Sequence, residues 1–156
     1  GEPNAFALPG GFVFITRSLV ELCGAEADEV AFILGHEMAH VIRGHAMNRI
    51  IGNTAISTAA RVTPVRGVLS GWLQKVGVQF LESAYSQDLE AEADKLGVRL
   101  ATAAKYDPQA ATKLLARLAN LSAAPKKFYL GQYFASHPAY KTRIQTINKY
   151  LTTLKT

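Results

Sequence analysis

The 156-residue sequence predicts an α+β chain that is mostly helical, with one small antiparallel sheet near its start. Apolar residues alternate on both sides of Pro9-Gly10-Gly11, and later stretches repeat apolar residues with helical spacing. At 49% hydrophobic residues, the chain can bury the core of one domain, and no repeat or linker divides it. We therefore expect residues 1–156 to form a single domain. We also expect this sequence to be a fragment of a longer chain.

Turn and cap residues predict the first elements. Residues 4–16 should form a β-hairpin, and Gly24 should end a short helix over 17–23. Acidic residues then precede the next apolar stretch, at Glu26, Asp28 and Glu29, where negative charge stabilises the start of a helix. We predict that this helix continues to about residue 50.

The second half of the chain predicts further helices. Residues 51–80 are weakly polar and contain Pro64, which indicates a broken helix that could serve as a flap or lie on a membrane surface. Residues 86–106 predict a strong helix with one apolar face: Leu89, Ala93, Leu96 and Leu100. Asp107-Pro108 predicts the start of another helix, and Ser136-His137-Pro138 the start of the last.

Charge and cysteine content narrow the classes of function. The formal net charge is +5, and residues 105–156 carry nine lysines and arginines against Asp107 alone. No basic motif interleaved with aromatic residues accompanies this charge, so we interpret it as a solvated face and expect no nucleic-acid partner. The single cysteine, Cys23, excludes an internal disulfide and a cysteine-based zinc site.

The segment ILGHEMAHVIRGH, residues 33–45, places His36, Glu37 and His40 inside an apolar run. On a helix the two histidines lie within about 40° of each other, beside the glutamate. Burying these groups is costly unless something compensates, and two imidazoles four residues apart can bind one zinc ion. His45 points about 140° away from His40, so it is not a ligand from this helix. The opposite side should be buried: Leu34, Met38, Val41 and Ile42.

A catalytic zinc site needs a third protein ligand, with the fourth position open to water. The helix over residues 86–106 offers three carboxylates. Glu90 and Asp94 share a face, whereas Glu92 points about 160° away from both and is interpreted as a solvated charge. Glu90 is the candidate ligand, with Asp94 accepting a hydrogen bond from a ligand histidine. The alternative is that Asp94 supports only a nearby backbone group or arginine.

The ordered motifs HEMAH, EAEAD, YDP and SHPAYKTR resemble those of M48 zinc metallopeptidases, and the chain is more similar to the soluble or peripheral members. The resemblance spans essentially the whole chain. It implies a zincin-like metallopeptidase domain with one zinc ion held by His36, His40 and Glu90. It further implies that Glu37 is the general base of peptide-bond hydrolysis and that Asp94 lies beside the ligands.

The resemblance also places two residues of the last motif near the metal. His137 is expected either to aid the transition state or to occupy the open coordination position, holding the enzyme idle as a latch. Arg143 is a candidate donor to the developing oxyanion. The alternatives are a histidine that only begins a helix and an arginine on the surface of an amphipathic helix.

The expected substrate is an unfolded or extended polypeptide lying against a strand edge at Asn4, Ala5 and Phe6. The resemblance implies protein quality control in a bacterial envelope or periplasm, with peripheral membrane association, and a mitochondrial location as the alternative. A rival interpretation is a chaperone-like module with structural zinc, although such a site has no use for the base Glu37.

Overall fold

The computed structural model describes residues 2–8, 10–52, 84–122, 133, 136–138 and 140–154. Within this part the chain is mostly helical, with a two-stranded antiparallel sheet at its start, as the sequence predicts. The predicted segment 51–80 lies outside the described residues except for positions 51 and 52. The described elements are β1 (Ala5–Leu8), β2 (Phe12–Ile15), α1 (Arg17–Leu22), α2 (Ala27–Ile42), α3 (His45–Gly52), α4 (Gln87–Ala103), α5 (Ala110–Ser122) and α6 (Tyr140–Thr153).

The hairpin forms because two glycines adopt backbone angles that other residues rarely adopt. Gly10 and Gly11 have φ values of +98° and +91°, which turn the chain between β1 and β2. Successive side chains then face opposite sides of the sheet. Ala5 and Ala7 are buried, and β1 packs against α2, whereas Phe14 on the other face is 46% exposed.

The prediction of one helix continuing to about residue 50 is wrong. Helix α2 ends at Ile42, and α3 begins at His45. Between them Gly44 adopts a φ of +71°, the left-handed conformation in which a glycine commonly ends a helix. The chain therefore changes direction just after the second histidine of the motif.

The last helix begins later than predicted, at Tyr140 rather than at Ser136-His137-Pro138. His137 lies in a bend before the helix. The residue before a proline is sterically disfavoured in helical conformation, which is why His137 does not continue a helix into Pro138.

Helices α2 and α4 cross in direct backbone contact at two glycines. A Cβ atom added to Gly35 would lie 2.7 Å from the carbonyl oxygen of Gly97, and one added to Gly97 would lie 2.8 Å from the backbone nitrogen of His36. The most buried face of α4 accordingly differs from its predicted apolar stripe. It consists of Glu90, Ala93, Asp94, Gly97, Val98 and Ala101.

The apolar core lies beside this crossing and includes Leu19, Phe32, Ile33, Leu114, Leu115, Leu118, Ile147 and Leu151. The prediction that α2 buries its other side is wrong in part, because Met38 is 44% and Ile42 59% exposed. Among the described residues, no helix combines the length and the apolar character needed to cross a membrane.

Candidate metal centre

Four side chains from three parts of the chain place one ligand atom each in a common buried space. His36 and His40 come from α2, Glu90 from α4, and His137 from the bend before α6. Their ligand atoms all lie within 4.8 Å of one another. The structure thus brings together the three ligands implied by the resemblance and adds His137 as a fourth donor.

The separations between these atoms fit a tetrahedral ion. Nε2 of His36 lies 3.1 Å from Nε2 of His40 and 3.2 Å from Nδ1 of His137. Oε1 of Glu90 lies 3.2 Å from Nε2 of His40 and 2.9 Å from Nδ1 of His137. A zinc ion with ligands at about 2.0–2.1 Å has tetrahedral edges of about 3.3 Å. The donor set and its spacing therefore fit a metal ion of this kind.

The facing nitrogens of His36 and His40 give an independent reason for a cation. Nδ1 of His36 lies 2.9 Å from Oδ1 of Asp94, and Nδ1 of His40 lies 3.1 Å from Nδ1 of His45. When each Nδ1 carries the ring proton, the two Nε2 lone pairs face each other in a buried space. Such an arrangement needs a positive charge between the rings, supplied by a proton or a metal ion.

Arg143 and Asp94 form a buried ion pair beside the ligands. Nε and Nη2 of Arg143 donate to the two carboxylate oxygens of Asp94 at 2.8 and 2.7 Å. Nη1 lies 2.9 Å from Oε2 of Glu90 and donates to the carbonyl oxygen of His137 at 3.2 Å. Arg143 is 2% exposed, which excludes the surface interpretation. Asp94 contacts both a ligand histidine and an arginine, so both of its predicted roles are geometrically present.

Two residues outside the sequence motifs restrain His40. The ring of Tyr85 stacks on the imidazole of His40, with centroids 3.9 Å apart and planes 17° apart. His45 reaches the nitrogen of His40 that faces away from the cluster, and Nε2 of His45 lies 3.4 Å from Oε2 of Glu92. Glu92 is 44% exposed, and its Oε1 also lies 3.0 Å from Nε of Arg43.

Glu37 lies against the second nitrogen of His137. Its Oε1 is 3.3 Å from Nε2 of His137, and the carboxylate is buried. The ring centroids of Tyr133 and His137 lie 4.8 Å apart. The main-chain carbonyl oxygen of Tyr133 accepts a hydrogen bond from the His137 amide at 3.0 Å. Tyr85 donates its amide to the carbonyl oxygen of Ser136 at 3.2 Å. His137 is thus held between the ligands and the carboxylate implied as the base.

The charges of the cluster shift the pKa values of its members in opposite directions. Burial opposes charge on His36, but the Glu90 carboxylate and the hydrogen bonds with Asp94 and Glu90 raise its pKa to about 9. Burial, together with the charges of His36 and His137, lowers the pKa of His40 to about 2. Burial also opposes ionisation of Glu90, yet His137, Arg143 and His36 hold its pKa well below the ordinary value. The carboxylates around His36 therefore favour a positive charge at this ring, where a metal ion also fits.

Of the predicted substrate residues, Ala5 and Phe6 lie on strand β1 and Asn4 lies directly before it. The two edges of this strand differ. Asn4 is bonded toward β2, donating its amide to Oγ1 of Thr16 at 2.8 Å and accepting the Thr16 amide at 2.9 Å. In an antiparallel ladder, residues with main-chain groups bonded to the partner strand alternate with residues whose groups point away from it. The main-chain groups of Phe6 therefore face β2, as those of Asn4 do, whereas the main-chain groups of Ala5 and Ala7 face the other edge. In the described part of the chain no further strand pairs with that edge, which we call the open edge of β1 in this sense alone. Ala5 and Ala7 are themselves 0% and 2% exposed, so a strand could pair there only after the groups packed on this edge had moved.

Sequence reasoning did not find the contact of His45 with His40, nor the roles of Tyr85 and Tyr133. The different direction of His45 could have been predicted from Gly44, because a glycine near the end of an apolar helical stretch commonly ends the helix. The two tyrosines have no comparable motif, since their positions depend on segments that meet only in the folded chain.

Comparison with known proteins gives consistent similarities. The model of peptidase family M48 matches residues 1–151. Mitochondrial metalloendopeptidase OMA1 of Schizosaccharomyces pombe is 36% identical over 151 residues, covering 96% of this chain and 44% of the relative. Metalloprotease LoiP of Escherichia coli is 31% identical over 151 residues, covering 94% and 58%. The beta-barrel assembly-enhancing protease of Yersinia pestis is 32% identical over 133 residues, covering 76% and 26%. The chain thus spans less than two thirds of each relative.

Proposed function

The chain belongs to peptidase family M48, and from this premise we propose that it is a zinc-dependent endopeptidase that hydrolyses peptide bonds in unfolded or flexible protein segments. The observation that carries the proposal is the buried set of four convergent ligand atoms with the carboxylate of Glu37 beside it. His36, His40 and Glu90 would hold one zinc ion per chain. A site with three protein ligands leaves the fourth position for chemistry, as catalytic zinc sites require.

Within this proposal Glu37 is the general base. Bound zinc would supply Lewis acidity to the attacking water and to the scissile carbonyl. Glu37 would take a proton from the water and deliver it to the leaving amine, for which its buried position beside the ligands is suitable. Asp94 would hold the ring of His36 through Nδ1 and keep Nε2 directed at the ligand cluster.

Arg143 would act in two ways. Its contacts with Asp94 and Glu90 balance the negative charge of the centre. Its Nη1, which donates to the His137 carbonyl in this arrangement, is the donor group that an oxyanion could recruit if the His137 segment moved. The predicted oxyanion role of Arg143 is therefore retained as part of the proposal.

His137 would hold the enzyme in a resting state. Nδ1 of its ring lies among the ligand atoms, where it would complete a four-ligand centre and leave no position for water. Its Nε2 faces Glu37, so the same ring also blocks the base. Activity would then require the His137 segment to withdraw from the centre, which is the latch expected from the sequence.

The substrate would lie extended along the open edge of β1. Ala5 and Ala7 direct main-chain groups to that edge, and pairing with them requires a substrate segment without structure of its own. Because both residues are buried, the groups packed on the edge would have to move aside when substrate binds. Asn4 and Phe6 would contribute by holding β1 to β2. This mode of binding favours unfolded polypeptides over compact domains, because a strand edge recognises the main chain more than the side chains.

The proposed setting is protein quality control in a bacterial cell envelope or periplasm, with peripheral contact to a membrane. The relative named as a beta-barrel assembly-enhancing protease supports the envelope location. The relative named as mitochondrial supports mitochondria as the alternative. Locating the full-length protein in fractionated cells would separate the two.

A cleavage assay tests the proposed activity. Zinc-loaded protein should cut casein, should lose this activity with a chelator and regain it with zinc, and should leave a compact folded protein uncut. Because His137 would hold the enzyme idle, the same assay is run in parallel with His137→Ala. Zinc-dependent binding of casein without cleavage by either protein would refute the endopeptidase and favour the chaperone-like module.

A further inference from the structure

We propose that His45 is a positioning residue that orients His40 for the metal, with Glu92 holding His45 in turn. Nδ1 of His45 lies 3.1 Å from Nδ1 of His40. This contact corresponds to the one that Asp94 makes with Nδ1 of His36. The inference rests on the metal centre of the proposed function, and it does not depend on whether that centre hydrolyses peptides.

The contact fixes where the protons lie on both rings. Two ring nitrogens at this distance form a hydrogen bond only when one donates and the other accepts. Nε2 of His40 must present a lone pair to the ligand cluster, so its Nδ1 carries the proton and donates it to Nδ1 of His45. His45 must then carry its own proton on Nε2, which lies 3.4 Å from Oε2 of Glu92.

The hydrogen bond between His40 and His45 restrains a rotation of the His40 ring that stacking on Tyr85 allows. Stacking by Tyr85 restrains the plane of the His40 imidazole, because the two planes are only 17° apart. A 180° rotation of the imidazole about its Cβ–Cγ bond would keep the ring plane and the stacking but would direct a carbon atom instead of Nε2 at the ligands. A partner specific for Nδ1 disfavours the rotated ring, and His45 is such a partner.

The break between α2 and α3 makes the contact possible. In a continuous helix His45 would point about 140° away from His40. The left-handed conformation of Gly44, at a φ of +71°, ends α2 and turns the first residue of α3 back toward the histidine five positions earlier. His45 is 4% exposed, although it lies at the start of a short helix in which Met47, two positions later, is 46% exposed.

Two nearly isosteric substitutions separate hydrogen bonding from packing. His45→Asn keeps an acceptor for the Nδ1 proton of His40, whereas His45→Leu fills similar space without one. We expect His45→Leu to weaken zinc affinity about 10- to 100-fold, as is typical when a partner of a metal-binding histidine is removed. His45→Asn should stay within about threefold of wild type on the same scale. Zinc affinity is measured by competition with a chromogenic chelator, and folding by denaturant unfolding of the metal-free proteins.

The outcomes of this comparison separate the proposed role of His45 from the proposed metal centre and from the proposed hydrolysis. Wild-type affinity in a folded His45→Leu protein would overturn the proposal, as would equal losses in the leucine and asparagine variants, which would indicate packing alone. If the wild-type protein did not bind zinc, the proposed metal centre would fail instead. If it bound zinc but neither it nor His137→Ala cleaved casein, only the proposed hydrolysis would fail.

A measurement on the wild type covers the case in which His45→Leu does not fold. In zinc-loaded protein labelled with ¹⁵N-histidine, His45 should show a protonated Nε2 and a bare Nδ1, and His40 a protonated Nδ1. The opposite tautomer of His45 would overturn the proposal. The exposed Glu92 can also be changed to alanine, for which we expect a loss of zinc affinity of about two- to fivefold, smaller than for His45→Leu because the effect is transmitted through His45.

Discussion

Nε2 of His137 lies 3.3 Å from Oε1 of Glu37 while Nδ1 of the same ring lies 2.9 Å from Oε1 of Glu90. One imidazole therefore bridges the carboxylate proposed as base and a carboxylate proposed as ligand. Both are buried, so the bridge is formed in a space from which water is largely excluded. A single movement of His137 would open the coordination position and free the base together.

Glu37→Gln should abolish cleavage and leave zinc in place. Glutamine keeps the shape of the side chain but cannot take the proton from water, and no ligand is changed. We expect cleavage of casein to fall at least about 10²- to 10⁴-fold, the usual contribution of a general base. Metal content by atomic absorption and cleavage rate are compared with Glu21→Gln, an exposed control. Loss of the metal or wild-type activity in Glu37→Gln would contradict the assigned role.

His137→Ala should raise activity if His137 is a latch. Removing the ring leaves three protein ligands, an open position and an unobstructed Glu37, while zinc affinity weakens because one donor is lost. The measurement pairs the rate of casein cleavage with the dissociation constant for zinc. A fall in rate with zinc retained would instead identify His137 as a donor to the transition state. No change in either quantity would leave only the role of preceding a helix.

Zinc binding should release about one proton at neutral pH. With a pKa of about 9 in the metal-free protein, His36 is protonated at pH 7, and a metal ion at its Nε2 must displace that proton. Affinity should therefore rise with pH by about tenfold per unit and level off above the pKa. Titration calorimetry in buffers of different ionisation enthalpy gives the number of protons released, and a value near zero at pH 7.5 would exclude a protonated His36.

Gly97→Ala should destabilise the protein, although the same change inside a helix ordinarily stabilises it by about 0.5–1 kcal/mol. The added Cβ would lie 2.8 Å from the backbone nitrogen of His36, so α2 and α4 must separate. We expect a loss of about 1–3 kcal/mol in the free energy of unfolding, together with weaker zinc binding. The exposed control Lys95→Ala should change stability by less than about 0.5 kcal/mol. A gain in stability in Gly97→Ala would argue against the close crossing.

Ala7→Pro tests the open edge of β1. Proline removes the amide hydrogen of Ala7, which faces away from β2, so the ladder of the hairpin is untouched. If the substrate accepts this hydrogen bond, kcat/KM should fall about three- to tenfold, corresponding to one hydrogen bond. Zinc content should stay near wild type, but because Ala7 is 2% exposed we expect the added ring to cost about 1–3 kcal/mol of stability, so kcat/KM is compared at a temperature at which both proteins are folded. Phe6→Pro should additionally remove a hydrogen bond of the hairpin. A folded, zinc-loaded Ala7→Pro protein with unchanged kcat/KM would place the substrate elsewhere.

Local sequence patterns predicted the described elements, except for the end of α2 and the start of α6, and they predicted which candidate ligands share a helix. The hairpin follows from Gly10-Gly11, because only glycine readily adopts the turn, and the pairing of His36 with His40 follows from the geometry of one helical turn. The same holds for Glu90 and Asp94. In each case the interacting positions are close in sequence, so helical or strand periodicity alone brings them onto one face.

Tertiary structure decided the relations between distant segments and the points where periodicity stops. The contact of Gly35 with Gly97 sets the separation of the two ligand helices, and it is visible only when both backbones are present. His137 reaches the centre from 101 residues beyond His36. His45 returns to His40 because α2 ends at Gly44, where rotation counted along a continuous helix no longer applies. Sequence spacing determined which groups could bind a metal, and packing between helices determined which of them meet and how each is oriented.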